Sequence, residues 1–178
     1  MTEVKKDAQP DAVDAITTQW AAERPDLDTA PMAVFGRIYR IAKAVGDAVE
    51  RAYNGYGISR GEFDVVATLR RAGAPYTLSP RQLAATLMLT TGGMTGRLDK
   101  LEKAGLLTRS PDPHDRRGLQ VTLTDRGFAL ADEAVSAGLA VHRRALEGFD
   151  AEEVEQLTGM LRKLLADVSR GTLGAEGP

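Results

Sequence analysis

Pro111 to Thr124 reads PDPHDRRGLQVTLT, and this stretch decides the fold. Pro111, Pro113 and Gly118 are turn formers, Asp115-Arg116-Arg117 makes a charged tip, and LQVTL alternates apolar and polar as a half-buried strand does. Directly before it stands LTTGGMTGRLDKLEKAGLL, a helix-length run with apolar residues at helical spacing. Helix then basic hairpin is the arrangement of a recognition helix followed by a wing. Guanidinium groups at such a tip are suited to a narrow minor groove, where negative potential is concentrated. Asp115, two residues before Arg117, is placed to brace its fork. The contrary reading, an exposed hairpin with scattered charge, loses ground because of the helix that precedes it.

Residues 79 to 127 resemble the winged helix-turn-helix of the MarR family of transcription regulators, whose wing carries D-x-R and a strand ending in L-T. Here those residues are Asp115, Arg117, Leu123 and Thr124. The resemblance implies a mainly α fold with a small β-hairpin wing, flanked by dimerisation helices, in a homodimer on a palindromic operator.

Composition narrows the alternatives. The chain has 178 residues and no cysteine, which leaves room for a core without disulfides and excludes thiol chemistry. No run approaches the roughly 18 apolar residues of a membrane span, and the first 14 residues lack an apolar signal core, so a cytoplasmic protein is expected. The formal net charge of -2 is unevenly spread: -4 over residues 1 to 30, +6 over 31 to 126 and -4 over 127 to 178. Screening within about 8 Å at physiological salt hides distant acidic flanks from a phosphate backbone, so the basic middle supports DNA binding.

Along the chain, a first helix is expected from Asp11 to Ala22, then a connector carrying Pro25 and Pro31. From Met32 to Tyr53 an apolar stripe (Val34, Phe35, Ile38, Ile41, Ala42, Val45, Val49) reads as core. Ile58 to Ala72 is the next helix, with Phe63, Val66 and Leu69 inward, and GAPYTLSP after it reads as a loop. Pro80 to Met88 and Thr90 to Ala104 form the helix-turn-helix. At 100° per residue, Met94, Leu98 and Leu101 form the buried stripe of the second helix. Thr91, Gly92, Thr95, Gly96 and Lys100 are its expected DNA-binding residues, with Asp115, Arg116 and Arg117 on the wing. Helices follow from Asp125 to Leu146 and from Asp150 to Ser169. In the last, Val154, Leu157, Leu161, Leu164 and Val168 repeat at spacings of 3 and 4, a seam suited to a partner helix. The domains expected are an N-terminal extension (1–30), a scaffold helix (31–57), the winged helix-turn-helix (58–126), dimerisation helices (127–170) and a disordered tail (171–178).

Four further residues resemble the urate-responsive, PecS-like branch of the same family: Trp20 in an added N-terminal helix, Asp64 in the helix before the helix-turn-helix, Arg97 in the recognition helix and Arg109 at the start of the wing. The resemblance implies that they bind a small aromatic anion such as urate or a related purine. Guanidinium groups, a carboxylate acceptor and an indole suit that chemistry. Since Arg97 and Asp64 lie on neighbouring helices, a pair between them is expected to register the recognition helix. Two rival classes stand beside this reading. A ligand-independent architectural DNA binder would lack the pocket. A metal-assisted enzyme would use His114 between Asp112 and Asp115, but that cluster sits on an exposed tip, His142 is the other histidine, and no P-loop, G-x-S-x-G or H-E-x-x-H occurs. No catalytic residue, metal or cofactor is therefore expected.

Overall fold

The computed structural model describes residues 9–87, 91–113, 115 and 118–170, with Thr91 and Gly92 described by their backbone alone. Two compact units, residues 1–51 and 52–178, divide the chain.

In the first unit, α1 (Ala12–Glu23) starts at a capping box: the Asp11 side chain accepts from the Val13 and Asp14 amides, while Asp14 accepts from the Asp11 amide. Both carboxylates also receive Arg37 of α2 (Ala30–Asn54), at 2.9 Å from Asp11 and 2.6 Å from Asp14. Val13 is buried against Gly36, where an added Cβ would stand 3.0 Å from the Val13 Cγ1. The expected core stripe of α2 is a different matter. Val34 and Ile41 are exposed, and of the stripe only Val49 is buried. A helix of 25 residues offers more apolar face than a 12-residue neighbour covers.

The second unit contains α3 (Arg60–Arg71), β1 (Thr77–Leu78), α4 (Pro80–Leu87), α5 (Thr91–Lys103), β2 (Leu107–Pro111), β3 (Leu119–Leu123), α6 (Asp125–Ala145) and α7 (Ala151–Ser169). Its strands form an antiparallel sheet in the order β1-β3-β2. Thr77–Leu78 is thus a strand and not the loop expected from sequence. Thr77 pairs with Thr122 and their hydroxyls meet at 2.8 Å, closing the wing at its base. Two residues are too few to display alternation, so tertiary pairing alone makes them a strand.

Val65, Val66 and Leu69 of α3, Leu83 of α4, Met94, Leu98 and Leu101 of α5, and Leu107 and Val121 of the wing are all essentially inaccessible. Phe63 is buried as well, so the inward sets expected for α3 (Phe63, Val66, Leu69) and α5 are correct, and Val65 joins the first of them. Helix α5 ends on Gly105, whose φ of +69° permits the left-handed turn in which the Leu106 amide reaches the Leu101 carbonyl at 3.0 Å. The next chain crossing is tighter still: a Cβ on Gly127 would lie 1.9 Å from the Leu106 carbonyl oxygen. Arg70 of α3 joins α6 by an ion pair with Asp132 at 2.9 Å, its guanidinium carbon 4.0 Å from the Phe128 ring centre. No residue of α7 is buried.

Candidate nucleic-acid interface

Ser79 and Gln82 cap α4 reciprocally: the Gln82 side chain accepts from the Ser79 amide at 2.8 Å, and the Ser79 hydroxyl accepts from the Gln82 amide at 3.2 Å. With Leu83 fixed in the core, α4 supports α5 as the first helix of a helix-turn-helix does. The buried stripe of α5 turns Thr95 and Gly96 to solvent. A Cβ at Gly96 would meet nothing within 4 Å, so this stretch of helix offers bare backbone to an approaching groove. Thr91 and Gly92 lie in the first turn, described by their backbone alone. Lys100 is exposed, with its Nζ 3.6 Å from Glu62 of α3. Burial works to raise the Glu62 pKa, but hydrogen bonds from Ser59 and the Lys100 charge outweigh it and hold the carboxyl below its ordinary value.

On the wing, β2 and β3 pair from Leu107 opposite Leu123 to Pro111 opposite Leu119. The tip closes through the Asp112 amide on the Gly118 carbonyl at 3.0 Å and the Gly118 amide on the Asp115 carbonyl at 2.8 Å. A Cβ at Gly118 would come within 3.1 Å of the Cβ atoms of both aspartates, which explains glycine there. His114, Arg116 and Arg117 lie outside the described residues, and with them the proposed brace from Asp115 to Arg117. A concavity of about 620 Å³ runs between the start of α4 at Ser79 and Pro80, Thr95 of α5, and the wing tip at Asp112 and Asp115. Recognition helix and wing thus border one hollow.

The four residues assigned to an anion fall as follows. Trp20 is an exposed residue of α1 in the first unit. Asp64 is half-buried on α3, and after burial its charge is the next influence raising the Tyr53 hydroxyl above its ordinary pKa. Arg97 is half-buried on α5, but the expected ion pair with Asp64 is not formed. Its Nη1 donates instead to the Gly61 carbonyl at 3.2 Å. Glycine is the reason: a Cβ at Gly61 would stand 2.6 Å from the Arg97 Cζ, so the guanidinium occupies space that any other side chain would fill. Arg109 is held by two carboxylates of α5, with Nη1 2.8 Å from Asp99 and Nη2 2.5 Å from Glu102. Glu102, Asp99 and Gly61 were not singled out from sequence as functional. Glu102 and Arg109 are seven residues apart across the Gly105 turn, and local spacing does not announce that meeting.

Helix-turn-helix, solvent-facing recognition helix and three-stranded wing define a winged-helix DNA-binding protein. A model described as MarR family matches residues 56–118. The chain is 42% identical over 152 residues to the HTH-type transcriptional regulator PecS of Dickeya dadantii, covering 85% of this chain and 92% of that one. Among solved structures, a MarR-family transcriptional regulator from Rhodococcus sp. RHA1 superposes with a TM-score of 0.66 at 28% identity, covering 78% of this chain and 96% of that one. A MarR variant from Escherichia coli complexed with operator DNA shares the fold at a TM-score of 0.66 and 24% identity, over 82% and 97% of the two chains. The chain belongs to the MarR family: it is a DNA-binding transcription regulator and not an enzyme. No helix among the described residues is long and apolar enough to cross a membrane.

Proposed function

We propose that the protein is a cytoplasmic, homodimeric repressor, released from a palindromic operator by a small aromatic anion, with urate the first candidate. The observation that carries the ligand reading is Arg97. Among the described residues this half-buried guanidinium has a neutral backbone carbonyl as its hydrogen-bond partner and no carboxylate. A partly desolvated cation without a counter-ion attracts an anion. Asp64 on the adjoining helix supplies an acceptor for ring N–H groups. Trp20 and Arg109 are kept in the ligand set on the resemblance to the urate-responsive branch. Dimerisation is supported by α7, where Met160, Leu161, Leu165 and Val168 are exposed apolar residues. A helix of this composition, with nothing buried, suits pairing with a second copy.

One observation favours the ligand-independent alternative: the Arg109 guanidinium is already engaged by Asp99 and Glu102. A palindromic duplex selected from a random pool by the wild-type protein separates the readings. Its complex is titrated with urate, xanthine, salicylate and an uncharged control. Release by urate, abolished in Arg97→Ala while DNA binding survives, is the expected result. A complex indifferent to every anion overturns the ligand reading and leaves the DNA-binding assignment intact.

A further inference from the structure

We propose that Asp99 and Glu102 are positioning residues for operator binding, which through Arg109 lock the wing against the recognition helix and so set the spacing of the two DNA-contacting elements. This inference does not depend on any ligand.

The geometry is specific. Asp99 and Glu102 stand three residues apart, one above the other on α5. Arg109 is the central residue of β2, and its side chain turns back over the Gly105 turn to reach both. Each guanidinium nitrogen is used: Nε and Nη2 donate to the Glu102 Oε2 at 2.9 and 2.5 Å, and Nη1 lies 2.8 Å from the Asp99 Oδ1. The other Glu102 oxygen accepts the Arg109 backbone amide at 3.0 Å. One carboxylate therefore grips the strand by its main chain and its side chain together. Across the ladder Arg109 pairs with Val121, which is fully buried, so the grip passes into the core of the wing. Two-pronged pairing of this kind fixes orientation as well as distance. Hydrogen bonding to Arg109 holds the Glu102 carboxyl below its ordinary pKa, in keeping with a bond made at neutral pH.

Asp99, Glu102 and Arg109 together carry one net negative charge beside the DNA-facing side of α5, where each carboxylate works against binding a polyanion. Geometry is what they give in return.

Those two effects predict opposite results, which makes the test sharp. In the full-length protein, Glu102→Gln removes the charge and keeps an oxygen for the Arg109 amide. Binding is measured to the selected palindromic duplex and to a random duplex of equal length, at one salt concentration and without ligand. If charge alone mattered, both affinities would rise together. The latch predicts that the specific-to-random ratio falls about tenfold, the discrimination of roughly one mismatched base pair, with helix content and sedimentation unchanged. Arg109→Gln should lower the ratio equally, and Glu102→Gln should add nothing in that background. Asp99→Asn, on the more exposed arm, should give a smaller fall in the same direction and keeps the test standing if Glu102→Gln lowers stability. An unchanged or higher ratio in both variants, or additive losses in the double variant, overturns the proposal.

Discussion

Gly61→Ala isolates the seat of Arg97. The new methyl group would be built 2.6 Å from the guanidinium carbon and 2.8 and 2.9 Å from its terminal nitrogens. Ordinary contact is about 3.5 to 4.0 Å, so the guanidinium must withdraw by about 1 Å. Its 3.2 Å bond to the Gly61 carbonyl then passes the roughly 3.5 Å at which a hydrogen bond ceases to count. Because the obstructing atoms are the end of a flexible side chain, the backbone need not move. Losing the bond costs about 1 kcal/mol, while alanine for glycine in a helix returns up to about 1 kcal/mol. The two nearly cancel, and melting should change by no more than about 4 °C. Function should not be spared: a 1 Å displacement of the anion-facing group should raise the urate concentration for DNA release at least about tenfold. Circular dichroism gives the melting temperature, and fluorescence anisotropy of the labelled duplex gives release, in wild-type and Arg97→Ala backgrounds. The reasoning fails if urate releases DNA from Gly61→Ala at the wild-type concentration, or if Gly61→Ala lowers melting by more than 10 °C. It fails equally if the substitution acts as strongly when Arg97 is already absent.

Gly127→Ala should be far more damaging, because its methyl would lie 1.9 Å from a backbone oxygen that cannot swing aside; chemical denaturation should show a loss of about 3 kcal/mol or more. Arg117→Ala should weaken duplex binding and lower the slope of log affinity against log salt by about one per half-site, read from a salt titration; an identical slope would count against a DNA-contacting wing tip. Deleting residues 150–178 should remove the partner-facing helix, leaving a monomer or an aggregate in sedimentation, with binding lost to a palindrome whose half-sites lie about 10 base pairs apart. A well-folded dimer lacking those residues would place the interface elsewhere.

Local periodicity made much of the fold legible. Met94, Leu98 and Leu101 fall on one side of α5 because 100° per residue puts them there, and the capping residues Asp11, Ser59, Thr124 and Asp150 mark helix starts by their own chemistry. Relations across the chain were less visible. The Thr77–Leu78 strand exists through Thr122 and Val121, 45 and 43 positions away. Arg97 was readable as a cation beside a core, but its choice of the Gly61 carbonyl over the Asp64 carboxylate depends on free volume at a glycine 36 residues earlier. For α2, the pattern identified an apolar stripe correctly but could not say what covers it, since amphipathicity records the need for a neighbour and not its identity.

The exposed apolar residues of α7 carry a consequence for dosage. In the dimer proposed above, the species able to span both half-sites forms by a second-order step, so when monomers predominate its amount follows the square of the chain's abundance. Halving synthesis would then cut it about fourfold, and dilution at cell growth would act on the operator before any inducer arrived. Two cells differing modestly in expression could differ widely in silencing the same promoter.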